Sequence, residues 1–265
     1  MSEIKHAPGT FCWAELMTTD SSAAKTFYGG LFGWETHDDP IPGGGVYTMI
    51  SLAGGNVAGM FELSDEMKQE GVPPHWHTYV SVEDADATAA RAGELGGTVV
   101  KEPFDVMDIG RMATIQDPSK ATLSVWQAKK HHGFGHTEPR PGTVAWNELM
   151  SDNVDAAGTF YASLFSWSPD VKDMGNNMTY TIFARGEAQL AGMMSIQGEE
   201  KWKGMPSMWA IYFHVDNCDH SVEKAKELGG TIVVPPTDIP NIGRFALFQD
   251  PTGIIFSIIA PPQGA

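Results

Sequence analysis

Cysteine is scarce in this chain: Cys12 and Cys218 are the only two in 265 residues. They fall at unmatched positions of the internal repeat described below. Two such thiols build no disulfide framework and are expected to stay reduced in a cytoplasmic protein. Basic residues are also few, with 17 Lys and Arg against 33 Asp and Glu and a formal net charge of −16. Phosphate-rich partners are gripped by clustered Lys and Arg, and no basic stripe is present, so nucleic acid is not an expected partner. An acidic membrane surface would repel the chain for the same reason, and the charge reads as a device for solubility. No apolar run reaches the length that spans a bilayer. The opening residues, MSEIKHAPGT, lack the apolar stretch of a signal peptide. What the chain has in quantity is glycine (29) and proline (17). These punctuate many short strands, while the 42% of hydrophobic residues suffice for one large core or two ordinary ones.

A repeat organises these features. Residues 8–35, PGTFCWAELMTTDSSAAKTFYGGLFGWE, match residues 141–168, PGTVAWNELMSDNVDAAGTFYASLFSWS, at 15 of 28 positions without a gap. The shift of 133 residues persists: Leu95-Gly96-Gly97 falls on Leu228-Gly229-Gly230, Gly110-Arg111 on Gly243-Arg244, and Asp117-Pro118 on Asp250-Pro251. A period this long marks duplicated domains, since solenoid repeats are shorter. The expected domains are 8–128 and 141–262, joined by a polar linker over 129–140.

Within a copy, Phe11–Met17 reads as a strand. Thr19 or Asp20 can cap a helix whose apolar residues Ala23, Ala24, Phe27, Tyr28, Leu31 and Phe32 recur at helical spacing. Strand-like stretches follow around Thr36, Val46–Leu52 and Val57–Phe61. The order then restarts with a strand over His77–Val82 and a helix over Asp84–Leu95, which Gly96-Gly97 stops. Strands near Thr98–Val100, Met112–Gln116 and Thr122–Trp126 close the copy. Each copy is strand, helix, three strands, twice over. The fold class is α+β with four βαβββ modules.

This layout resembles the vicinal oxygen chelate superfamily of glyoxalases, extradiol dioxygenases and bleomycin-resistance proteins. The elements carrying the resemblance are Asp20 after the first strand, Phe27-Tyr28, Leu31-Phe32-Gly33-Trp34, Val82-Glu83-Asp84, Leu95-Gly96-Gly97 and Asp117-Pro118. It implies two half-open barrels over roughly residues 8–262, with a metal inside each. The family's first ligand position corresponds to Trp13 and Trp146, the second to His77 and Ala210, and the third to Ser124 and Ser257. Copy two keeps none of these ligands and copy one keeps only the histidine. No cofactor is therefore expected. The alternative is a weak, exchangeable divalent metal in the first domain on His77 and Glu15, with His75 nearby, because tight sites need more fixed donors.

Strand alternation puts Trp13 and Glu15 on one face, with Trp146 and Glu148 matching them. A carboxylate in a partly dry aromatic barrel is a candidate general base for proton abstraction beside a carbonyl, which makes Glu15 and Glu148 the candidate catalytic residues. The plainer role for both is to accept hydrogen bonds from Trp or Tyr and fix the cavity wall. Trp13, Trp146, Tyr47, Tyr180, His77, His214, Ser124 and Ser257 are the candidate ligand-binding residues. The tyrosines and tryptophans can stack on a planar ligand or simply pack. Arg111 and Arg244 read as structural ion pairs. The linker histidines His131, His132 and His136 read as parts of a flexible tether. The glycines at 43–45 lack the Lys-Ser/Thr of a phosphate loop. The expected function is binding of a small molecule, with lyase or isomerase chemistry on a cavity glutamate. The competing readings are a metal-dependent lyase or dioxygenase and a non-catalytic interaction module, in a monomer or homodimer.

Overall fold

The computed structural model describes residues 4–42, 44–175, 178–198 and 202–262. Gly43 of the glycine run lies outside them. The first copy runs β1 (Phe11–Thr18), α1 (Ser21–Phe32), β2 (Glu35–Pro40), β3 (Val46–Leu52), β4 (Gly55–Glu62), α2 (Asp65–Gln69), β5 (His75–Ser81), α3 (Ala85–Glu94), β6 (Thr98–Val106), β7 (Gly110–Gln116) and β8 (Thr122–Ala128). The second runs β9 (Val144–Ser151), α4 (Val154–Phe165), β10 (Ser168–Gly175), β11 (Met178–Arg185), β12 (Ala188–Ser195), β13 (Met208–His214), α5 (Cys218–Glu227), β14 (Thr231–Ile239), β15 (Gly243–Gln249) and β16 (Ile255–Ala260). These are the four βαβββ modules. The strands of each copy form one eight-stranded sheet, in the orders β2-β3-β4-β1-β5-β8-β7-β6 and β10-β11-β12-β9-β13-β16-β15-β14.

Local chemistry sets the helix boundaries. Asp20 takes extended backbone and accepts the Ala23 N–H at 2.9 Å, and Gly33 ends α1 in the left-handed region at φ 72°. Asn153 caps α4 by accepting the Ala156 N–H. The helices present Ala24, Phe27, Tyr28 and Leu31, and in α4 Ala157, Phe160, Tyr161 and Phe165, to their cores. Two elements differ from the sequence reading. The short α2 was missed because five residues are too few to show helical periodicity; its signal is the Ser64 cap on Met67 N–H. Strand β6 continues past Pro103 to Val106 because edge strands tolerate proline, and its pairing with β7 shifts register twice on the way.

Packing divides the chain into two units that each combine modules from both copies. One holds Trp13–His77, Phe134–Ala145 and the chain from Ile211 onward. Its core gathers Phe27, Tyr28, Trp34, Trp76, Phe213, Phe248 and Phe256. A buried relay runs through it: Trp76 Nε1–H donates to Tyr28 Oη at 3.0 Å, and Tyr28 donates to Asp250 Oδ2 at 3.0 Å. Asp250 Oδ1 in turn accepts the N–H groups of Thr252 and Ile254. The other unit holds Thr78–Gly133, Trp146–Ala210 and the segment ending at Cys12, around Phe160, Tyr161, Phe183 and Trp209. Its relay resembles the first, with Trp209 Nε1–H donating to Tyr161 Oη at 2.9 Å and the carboxylate of Asp117 acting on the Tyr161 phenol. Burial, reinforced by the neighbouring carboxylate, pushes both tyrosines well above their ordinary pKa, so they stay neutral donors. The Asp-Pro motif thus turns the chain and also supplies each unit with a buried acceptor.

The inter-copy segment is no loose tether. Gly135 N–H donates to Asn56 O at 2.8 Å, His136 Nε2 contacts Leu52 O at 2.7 Å, and Trp34 Nε1–H donates to Gly142 O at 2.8 Å. The expected flexible linker is instead a strap pinned on the β3–β4 hairpin, because its backbone and ring groups find partly buried acceptors there. Among the described residues no helix is long and apolar enough to cross a membrane.

Candidate functional site

The strand-one glutamates are built into matching triads. In the first copy Trp13 Nε1–H donates to Tyr47 Oη at 3.1 Å, and Tyr47 is hydrogen-bonded to Glu15. In the second, Trp146 Nε1–H donates to Tyr180 Oη at 3.0 Å, and Tyr180 donates to Glu148 Oε2 at 2.7 Å. The glutamates are 7% and 6% exposed. Burial and the adjacent carboxylate raise both tyrosines far above the ordinary phenol, so each donates its proton and does not lose it.

Register explains how a tyrosine two strands away reaches the glutamate. Strand β4 lies between β3 and β1, with Gly59 opposite Glu15, and β12 repeats this with Gly192 opposite Glu148. The phenol crosses over the glycine. A β-carbon at Gly59 would stand 1.9 Å from Tyr47 Oη, and one at Gly192 would stand 1.9 Å from Tyr180 Oη. Sequence reasoning missed these glycines. Their signal was the 133-residue spacing itself, since Gly59 and Gly192 recur as faithfully as the glutamates.

On β5 the two histidines form a directed pair. His75 Nδ1 lies 2.7 Å from Pro73 O, which can only accept, so Nδ1 carries the proton. The Nε2 of neutral His75 is then an acceptor and takes the Nδ1–H of His77 at 3.3 Å. Burial, the largest cause, lowers His77 to about 3, so it is neutral at pH 7. In the second copy the corresponding residues are Met208 and Ala210, and the pair is absent.

The remaining candidates disperse. Ser124 shares a 2.9 Å hydrogen bond with Thr114, its cross-strand partner. Ser257 faces Leu247 instead, and its buried Oγ has no hydrogen-bond partner among the described residues. His214 lines a cavity of about 130 Å³ with Asn56, Phe134 and His136, and burial lowers its pKa. Arg111 forms a forked pair with Asp86 at 2.6 and 2.7 Å, and Arg244 does the same with Asp219 at 2.8 and 3.0 Å. Both cysteines are free and buried.

Two copies of a βαβββ pair, each with an eight-stranded sheet and a buried carboxylate on its first strand, define a glyoxalase-like protein. Residues 10–125 and 133–258 each match the Glyoxalase/Bleomycin resistance protein/Dioxygenase superfamily, and the chain belongs to it. It is 40% identical over 261 residues, 98% of both chains, to CFP32 of Mycobacterium tuberculosis (strain CDC 1551 / Oshkosh), whose name provisionally makes it a glyoxylase. It is 34% identical over 273 residues, 98% of this chain and 96% of the other, to the anthracycline biosynthesis protein DnrV of Streptomyces peucetius. Among solved structures, the Mn(II)-bound glyoxalase of Novosphingobium aromaticivorans superposes with a TM-score of 0.65 at 14% identity, covering 96% of this chain and 82% of that one. The 2,3-dioxygenase LapB of Pseudomonas sp. KL28 gives 0.63 at 12% identity, covering 98% and 96%. At these identities the likeness concerns the fold.

The superfamily's metal centre does not fit the residues present. Its ligand positions hold Trp13, His77 and Ser124 in one copy and Trp146, Ala210 and Ser257 in the other. Among the described residues no three His, Cys, Asp or Glu side chains converge as a cation site requires.

Proposed function

We propose that the chain binds small carbonyl- or enol-bearing molecules and that Glu15 and Glu148 move a proton beside the carbonyl, with no resident divalent metal. The observation that carries this reading is the duplicated Trp–Tyr–Glu triad. A low-exposure carboxylate is held in one orientation by a neutral tyrosine, and in both copies a glycine makes room for that contact. A positioned carboxylate is the equipment of general-base catalysis, worth roughly 10²–10⁴-fold in rate. The buried imidazole of His77 adds a second titratable group in the first copy only. The relatives' names, a glyoxylase and an anthracycline biosynthesis protein, both belong to small-molecule chemistry.

The test follows deuterium entering the carbon beside the carbonyl of a panel of simple aldehydes and ketones in heavy water, by proton NMR. Exchange is expected in the metal-stripped protein and is expected to fall about 100-fold in a Glu15→Gln, Glu148→Gln double variant. Undiminished exchange in that variant, or exchange that requires a stoichiometric metal, overturns the proposal. A second reading, binding without turnover, is favoured by the loss of the family's ligands. It predicts saturable binding with no exchange.

A further inference from the structure

Away from both triads, the turn after β7, the start of α4 and the end of β12 enclose a cavity of about 580 Å³. Small-molecule pockets begin at roughly 300 Å³. Its lining residues, Lys120, Val154, Asp155 and Ser195 among them, all belong to one packing unit. The other unit shows what the matching place holds when the chain fills it itself. There Glu62, at the end of β4, accepts the Ser21 N–H at 3.0 Å and the Ser21 hydroxyl at 2.7 Å at the start of α1. These bonds hold Glu62 below the usual carboxylate range. A carboxylate suits this position because the first helical amides lack intrahelical acceptors and lie at the positive end of the helix dipole.

One repeat later, Ser21 and Glu62 are replaced by Val154 and Ser195. The internal carboxylate is gone, and the Val154 N–H has no acceptor among the described residues. The facing turns correspond, since Lys120 and its counterpart Gly253 are both left-handed, at φ 71° and 88°. Lys120 therefore brings a cation that the other unit lacks, and it forms no ion pair among the described residues. Asp155, in the first turn of α4 where α1 has Ser22, is likewise without an ion pair there. The remaining acid of the cavity, Asp152, already accepts the Ser207 hydroxyl at 3.0 Å. One free cation, one free anion and one bare amide thus share the cavity. A plain anion would sit beside Asp155 uncompensated, whereas a ligand carrying both charges satisfies all three.

We infer that this cavity binds a small zwitterion of the α-amino acid class. Its carboxylate takes the place that Glu62 fills in the other unit, accepting the Val154 N–H and pairing with Lys120, and its ammonium pairs with Asp155. The site uses no residue of either triad, so it stands or falls apart from the proton-transfer reading.

The probe is L-alanine, titrated into the full chain while backbone amides are followed by proton–nitrogen NMR. Propionate and ethylamine, which each keep one of its two charges, are titrated in parallel. L-Alanine is expected to move the Val154 amide saturably, and each single-charge analogue to bind about tenfold more weakly, the worth of one charge-assisted hydrogen bond. Ser195→Glu supplies the carboxylate that the other unit has and is expected to abolish the shift with an unchanged melting temperature. Lys120→Ala, at an exposed position, is expected to weaken binding about threefold, as befits a solvated ion pair. Glu62→Ser, in the other unit, is expected to leave the Val154 response unaltered. No saturable shift at Val154, propionate as tight as L-alanine, or binding indifferent to Ser195→Glu or to Lys120→Ala each overturn the inference.

Discussion

The two triads have the same polar skeleton and different surroundings. Around Glu15, the strap lays Phe134 on Trp13, and the next unit of sequence on β5 contributes the His75–His77 pair. Around Glu148, Trp146 is half-buried and the histidine positions hold Met208 and Ala210. Duplication therefore preserved the means of orienting a carboxylate while the access and the acid–base company of each copy diverged. What both copies kept is local to three neighbouring strands, and what they changed comes from outside those strands.

The largest expected effect tests the shared part. Gly59→Ala or Gly192→Ala puts a β-carbon 1.9 Å from a tyrosine oxygen, which must move away from its glutamate. Each is expected to cost about 2–3 kcal/mol by urea denaturation, the upper range for overpacking. Near-equal losses support equivalent triads, and a loss confined to one copy breaks the comparison. The second test is pH, because the fully buried histidine, His77, belongs to the first copy. His77 titrates near 6.5 when unfolded and about 3 when folded. Between those values the unfolded chain holds more protons, so stability is full above pH 6.5 and falls as pH drops through that window. The expected slope is about 1.4 kcal/mol per pH unit from this residue. His77→Ala should flatten the curve relative to the unaltered chain in thermal melts across pH 4–7, and an identical slope would contradict the burial. The smallest effect compares the tyrosines. Tyr47→Phe removes the acceptor 3.1 Å from the Nε1–H of a buried Trp13 and is expected to cost about 1–2 kcal/mol. Tyr180→Phe is expected to cost less, because water can replace the acceptor at half-buried Trp146. Equal costs would remove the difference in exposure.

Much of this was legible beforehand for identifiable reasons. Period-two alternation places Trp13 with Glu15, and a 3.6-residue period with an Asp20 cap marks α1; both are properties of a few adjacent residues. Tyr47 and Tyr180 were visible as recurring aromatics, but as rings. Their hydroxyls matter here, and that depends on β3 lying one strand beyond β4 with Gly59 in between. His136 looked like part of a flexible linker because polar composition does not reveal that Leu52 O waits for it. Asp117-Pro118 and Asp250-Pro251 looked like turns alone, since nothing near them in the chain announces Tyr161 or Tyr28.

The amino-acid sequence by itself determined the duplication and the βαβββ order, because periodicity and residue identity are carried by the chain. Only the tertiary structure decided that modules from different copies share a core, that glycines admit the tyrosines to the glutamates, and that Trp13 is buried while Trp146 is half-buried. Those outcomes depend on contacts between residues tens to hundreds of positions apart, such as Tyr28 with Asp250, and no local pattern encodes which distant partner will fill a given space.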